Sequence, residues 1–166
     1  LPTHLAYSPC ASQPKKLTHP NVFCDSDEWE AFAKLDRATS PKTILATNTS
    51  SFRVTQLQEG LSHPERLVGL HYFFHPAKNR LVEVIPGEQT DSKCLKRAWS
   101  LMNATGKTVI HSEDGYGFIV NRFFVPWVNE GVRLMEEGLG TPGEIDRVAR
   151  DTFRVGMGPF QLMNIT

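Results

Sequence analysis

Cysteine is scarce in this chain, with three among 166 residues: Cys10, Cys24 and Cys94. They are odd in number, widely spaced and form no CxxC pair, which argues against a disulfide framework and against a zinc site. A reducing compartment is therefore expected, the cytoplasm first and the mitochondrial matrix as the alternative. An excess of charge of either sign is also missing, since 18 Lys and Arg stand against 18 Asp and Glu. Nucleic acid is accordingly not expected as a partner. No apolar run approaches the roughly 20 residues that span a bilayer, so no membrane partner is expected. The opening residues lack the basic, apolar and small-residue regions of a secretory signal. Internal repeats and low-complexity tracts are absent as well.

Hydrophobic residues make up 40% of the chain, enough to bury the core of one ordinary domain, or of one domain and part of a second. Residues 1–24 are expected to form an irregular arm, because the first 20 hold four prolines and no apolar periodicity. The pattern changes after that. "SDEWEAFAKLDRA" places Trp29, Phe32 and Leu35 at helical spacing, Lys42 to Thr47 reads as a strand, and "RVTQLQEGL" reads as a short helix. "ERLVGLHYF" and "NRLVEVI" are predicted strands. "TDSKCLKRAWSLMNATG" is a predicted helix that stops at Gly106, and "KTVIHS" is a further strand. Strands interleaved with helices predict an α/β sheet. The longest helical pattern runs from Phe118 to Gly138. Phe118, Val125, Val128 and Val132 form one stripe, Phe123, Phe124 and Trp127 widen it, and Pro126 is expected to kink it. "TPGEIDRVARDTF" restarts a helix after a Thr-Pro signal. The closing "VGMGPFQLMNIT" is expected to stop in mid-element.

Within the apolar runs, two residues stand out. In "LVEVI" the period of two sets Leu81, Glu83 and Ile85 on one side of the strand and Val82 and Val84 on the other. A carboxylate among Leu and Ile is costly to bury without a partner. His71 is the nearest candidate, since strands joined by a short loop bring their side chains together. Such a pair fixes the tautomer of the imidazole and orients it as a general base. The alternative is that both residues sit at strand ends and face water. "TNTSS" follows an apolar strand, the place where open α/β sheets put ligand contacts, or else it is a turn that caps the next helix. Asn121 falls on the Phe118–Val125–Val128 stripe, where a buried amide needs partners, unless it is an exposed residue near a helix start. His63, His75, His111, Cys94 and Trp99 have no metal-ligand spacing and receive no role.

Taken in order, "ILATNTSS", "RLVGLHYF", "LVEVI", "GYGFIVNR" and "EEGLGTPGEID…GMGP" resemble the L-3-hydroxyacyl-CoA dehydrogenase family. The resemblance runs from Thr43 to Leu162, nearly three-quarters of the chain. It implies the C-terminal half of a Rossmann-like (doubly wound) NAD-binding domain over residues 25–115. The start of an all-α substrate and dimerisation domain follows over 116–166. It implies NAD as cofactor, an acyl-CoA as substrate, fatty-acid β-oxidation as the setting, and a homodimer or completion by another chain. It also implies that His71 takes the proton from the 3-hydroxyl and that Glu83, twelve positions on (83 − 71), orients it. Ser50 and Asn121 then hold the substrate oxygen and the catalytic groups in place, with Asn48 and Ser50 at the nicotinamide end of NAD.

Two departures from the family pattern matter. In "HYFFHPAKNR", Pro76 comes one place late and Phe74 stands where Asn or Ser is usual. Because His71 and Glu83 keep their spacing, this reads as a substituted loop and not an insertion. The strand–GxGxxG–helix unit that opens the family and cradles the pyrophosphate does not stand at the start of this chain. Two other readings therefore remain: a catalytically silent fragment or subunit without that cradle, and a sibling dehydrogenase for a non-CoA hydroxy acid.

Overall fold

The frame is a four-stranded sheet in the order β1 (Leu45–Thr47), β2 (Leu67–Tyr72), β3 (Leu81–Pro86) and β4 (Thr108–His111), seen in a computed structural model that describes residues 26–165. The arm expected over residues 1–24, with Cys10 and Cys24, lies outside the described residues. β1 and β2 run parallel, as do β3 and β4, while β2 and β3 form an antiparallel pair. The result is a mixed, Rossmann-like α/β sheet whose central pair is a hairpin. His71 stands directly opposite Glu83, and Tyr72 opposite Val82, so the register runs up to the loop of residues 73–80 without a bulge. Lys107, the residue before β4, fastens that loop, donating to the carbonyls of Pro76 and Asn79, the latter at 2.8 Å.

Alternation divides the hairpin between two cores. Val68, Leu70, Val82 and Val84 point to one face and pack on Cys94, Ala98 and Met102 of α3 (Ser92–Ala104). Leu67 and Ile85 point to the other, joining Phe32 of α1 (Ser26–Ala38) and Val54 and Leu57 of α2 (Val54–Gln58). His71 and Glu83 share this second face. Each fully buried aliphatic side chain here is worth about 1.5–3 kcal/mol relative to an exposed one, so both layers are strongly held.

Three helices follow the sheet: α4 (Val120–Glu136), α5 (Pro142–Phe153) and α6 (Pro159–Met163). α5 begins with the expected Thr-Pro signal. Thr141 accepts from the Glu144 N–H at 3.4 Å, while the Glu144 carboxylate accepts from the Thr141 N–H at 2.8 Å, a capping box. The final stretch forms α6, whose first N–H groups are satisfied by buried Asp146: Phe160 and Gln161 donate to it at 2.8 and 3.1 Å. Gly158 makes that approach possible, since a Cβ there would fall 2.3 Å from the Asp146 carboxylate.

Local chemistry moved several boundaries. The first strand starts at Leu45 and not Lys42, because residues 40–43 close a turn through Thr43 N–H to Ser40 C=O at 2.8 Å. α4 starts at Val120 and not Phe118, because Gly117 and Phe118 hold φ of +73° and +48°. On α1, Leu35 is 44% exposed while the neighbouring Asp36 is buried. There Asp36 meets Arg66 at 2.8 Å and accepts from the Ser62 N–H at 2.6 Å. The apolar stripe of α4 is only partly covered among the described residues, with Phe123 77% and Val125 49% exposed. The helix continues through Pro126.

Candidate active site

The site begins with the cross-strand pair. Nδ1 of His71 lies 2.6 Å from Oε2 of Glu83, with the carboxylate fully buried and the imidazole 5% exposed. The other carboxylate oxygen, Oε1, accepts from the backbone N–H groups of Ile119 and Val120 at 2.9 and 3.0 Å. Ile119 is the N-cap of α4 and Val120 its first residue, and amides at this end have no partner inside the helix and carry its positive end. One buried carboxylate thus meets three donors. The sequence suggested the histidine but not the helix terminus.

Burial alone would push the Glu83 carboxyl up. The bonds from His71, Val120 and Ile119, together with the imidazole charge, outweigh it and hold the group below the usual glutamate range. Glu83 is therefore ionised near neutrality and can only accept. Nδ1 of His71 must then carry the proton in the neutral ring, which leaves the lone pair on Nε2. That nitrogen makes no hydrogen bond among the described residues. Two rings surround the imidazole: Phe73 at 4.6 Å and Phe118 at 5.5 Å between centroids. They leave it few positions to rotate into.

A left-handed turn sets this geometry. Phe118 N–H bonds to Gly115 C=O at 3.0 Å, and the positive φ values at Gly117 and Phe118 turn the next two amides onto Glu83. A left-handed residue is costly for any side chain but glycine, so the two glycines of "GYGF" are the signal that could have revealed the turn.

The remaining expected residues gather around the carboxyl ends of β1 and β2. Asn48 accepts from the Tyr72 N–H at 2.8 Å, next in sequence to His71. Asn48 is exposed, and its amide nitrogen makes no hydrogen bond among the described residues. Asn121 is half-buried, between the buried and exposed alternatives its position left open, and donates from Nδ2 to the Ser50 carbonyl at 3.1 Å. The bond goes to the backbone of Ser50. Its exposed hydroxyl approaches only Ser51 Oγ, at 3.5 Å. None of the three is hydrogen-bonded to His71.

Asp114 is a further residue that sequence reasoning passed over. Its carboxylate accepts from Val54 N–H, Thr55 N–H and Thr55 Oγ1 at 2.7, 2.8 and 2.5 Å, and its carbonyl accepts from Arg53 Nε at 2.9 Å. It caps α2 and ties the segment after Ser50 to the approach of α4. An open groove of about 520 Å³ runs beside this junction, bordered by Ser50, Tyr116, Asn121, Val125 and Pro126. A more enclosed apolar cavity of about 400 Å³ lies between α4 and α5, away from the dyad, with Trp127, Leu134 and Val148 in its walls.

GxGxxG spacing does occur once, as Gly138-Leu139-Gly140-Thr141-Pro142-Gly143. It joins two helices with no strand before it, and its Thr141 is committed to capping α5. It therefore lacks the strand-to-helix setting of a pyrophosphate cradle. No helix among the described residues is long and apolar enough to cross a membrane.

Comparison with known proteins identifies two family models along the chain. Residues 29–115 match the NAD binding domain of 3-hydroxyacyl-CoA dehydrogenase, and residues 117–166 match its C-terminal domain. A probable 3-hydroxybutyryl-CoA dehydrogenase of Bacillus subtilis is 36% identical over 133 residues, covering 80% of this chain and 46% of that protein. The mitochondrial hydroxyacyl-coenzyme A dehydrogenase of Sus scrofa is 36% identical over 135 residues, covering 81% and 43%. The chain thus spans a little under half the length of these curated relatives. Among solved structures, an (S)-3-hydroxybutyryl-CoA dehydrogenase from Ralstonia eutropha superposes with a TM-score of 0.78 at 30% identity, covering 85% of this chain and 50% of that one. The 3-hydroxybutyryl-CoA dehydrogenase from Escherichia coli K12 gives 0.77 at 34% identity, covering 84% and 30%.

Proposed function

This chain belongs to the 3-hydroxyacyl-CoA dehydrogenase family, and from that premise we propose that its site oxidises the 3-hydroxyl of a 3-hydroxyacyl-CoA to the ketone, with NAD as cofactor. The observation that carries the proposal is the buried contact of 2.6 Å between His71 and Glu83, which leaves Nε2 as a free base. Nε2 of His71 takes the proton of the 3-hydroxyl as the C3–H bond breaks. Glu83 holds the ring in the required tautomer and balances the positive charge that develops on it. In the reverse direction the same nitrogen returns the proton to the carbonyl oxygen.

Ser50 and Asn121 fix the substrate oxygen, Asn121 being steadied by the Ser50 carbonyl. NAD, when bound, supplies the hydride acceptor, a role no side chain can fill. The chain's own residues fit its nicotinamide end, since Asn48 offers a free amide nitrogen and Ser50 an exposed hydroxyl at the carboxyl end of β1. Residues 25–115 then act as the cofactor-binding part and 116–166 as the start of the helical substrate part. The reaction suits fatty-acid β-oxidation in the cytoplasm or the mitochondrial matrix.

NADH formation by the full-length protein with 3-hydroxybutyryl-CoA and NAD tests the proposal. Turnover that falls by about a thousandfold in His71→Ala supports it, the size expected for loss of a general base. A His71→Ala variant that keeps the wild-type rate would reject the dyad. Turnover of the free hydroxy acid as fast as of the thioester would reject the CoA ester as the recognised substrate.

A further inference from the structure

Tyr116 is 63% exposed, yet it is held firmly on both sides. Its backbone lies within the turn from Gly115 to Phe118, closed by the Phe118 N–H to Gly115 C=O bond at 3.0 Å. Two residues on, the Phe118 ring packs on His71 at 5.5 Å. The turn that positions the base therefore also positions the tyrosine. The side chain is anchored too, since its hydroxyl accepts from Nε2 of Gln56 on α2 at 3.2 Å. Tyr116 thus bridges two walls, the entry to α4 and the start of α2.

Tyr116 also borders the open groove, together with Ser50, Asn121, Val125 and Pro126. One part of its border is polar, formed by Ser50 and Asn121, the residues assigned to the substrate oxygen, with Ser51 and Arg122 beside them. The other part is apolar, with Val125 49% exposed and Pro126 also exposed to solvent. A ligand whose reacting oxygen sits at Ser50 and Asn121, and whose tail is a hydrocarbon, matches this change of surface.

We propose that Tyr116 determines acyl-chain specificity, its side chain forming the groove border together with Asn121 and Val125 and limiting how long a hydrocarbon tail the site accepts. This rests on the proposed dehydrogenase reading and sharpens it, assigning to Tyr116 the limit on acyl length. The bulk of the ring is what acts. The Gln56 bond holds the ring in place and makes no contact with substrate.

The test compares kcat/KM of the full-length protein for 3-hydroxybutyryl-CoA and 3-hydroxydecanoyl-CoA. Tyr116→Ala should raise the long-to-short ratio by about tenfold or more, the discrimination a few methylenes give in an apolar pocket. Tyr116→Phe keeps the ring and should leave the ratio within about twofold of the parent. Val125→Phe fills the groove from the other wall and should lower the ratio. A Tyr116→Ala protein that turns over both substrates with the parental ratio overturns the specificity assignment and leaves the dehydrogenase reading intact. A parent protein with no turnover of either thioester rejects both.

Discussion

The two faces of the β2–β3 hairpin are built from alternate residues of the same strands, yet they do opposite things. Val68, Leu70, Val82 and Val84 bury hydrocarbon against α3 and contain no ionisable group. On the reverse, Leu67 and Ile85 continue the core, and then His71 and Glu83 place a buried, hydrogen-bonded imidazole and carboxylate at the end of it. A mixed sheet can carry a charge of this kind because its neighbours on the strand are held from behind. The apolar face fixes where the backbone is, and the polar face uses that fixed backbone to hold two side chains 2.6 Å apart. Stability and chemistry are therefore separable by face, and substitutions can test that separation.

The largest effect belongs to the polar face. His71→Ala should lower kcat by about a thousandfold, equivalent to roughly 4 kcal/mol of transition-state stabilisation. Circular dichroism should still show a folded protein. Next comes Leu70→Ala on the apolar face, expected to cost about 2–5 kcal/mol in a urea titration while kcat of the folded fraction changes little. A large fall in kcat there, with stability unchanged, would break the division. Glu83→Gln keeps the shape and removes the charge, so kcat should drop by about a hundredfold through loss of the oriented tautomer. The drop should appear in kcat more than in KM.

The smallest effect is a slope with pH. The Glu83 carboxyl is held below its unfolded value, so the stability it contributes is present above the ordinary glutamate range and is lost as pH falls through the lower, folded value. Asp36 behaves likewise: burial raises it, and the Arg66 bond, the Ser62 N–H and nearby positive charge more than offset that. Urea midpoints should be flat from neutrality down to about pH 5 and fall below it. Glu83→Gln should flatten part of that fall, and Asp36→Asn a separate part.

Much of this was legible in the sequence where a pattern repeats. The apolar runs "LVGLHY" and "LVEVI" located both strands, the period of two put Glu83 on the face opposite Val82 and Val84, and the helical spacing of Cys94, Leu95, Ala98, Leu101 and Met102 located α3, although Leu101 is 55% exposed. What escaped depends on contacts between distant segments. The amides of Ile119 and Val120 reach Glu83 across 36 and 37 residues, and Asp114 caps α2 from about 60 residues away. Nothing in the local composition reports such a bond. The late start of α4 is intermediate: the two glycines of "GYGF" could have marked the turn, while the left-handed Phe118, whose ring lies 5.5 Å from that of His71, has no local signal. The half-burial of Asn121 falls between the two readings its position allowed, because the stripe it shares is only partly covered.

The central claim is that an ionised Glu83 keeps the proton of His71 on Nδ1 and leaves Nε2 open. Long-range nitrogen–proton NMR of the imidazole, recorded on the full-length protein at a pH where the ring is neutral, reads this directly. The account predicts a protonated Nδ1 and an unprotonated Nε2 in the parent, with that preference lost in Glu83→Gln. A proton resident on Nε2 in the parent would contradict it.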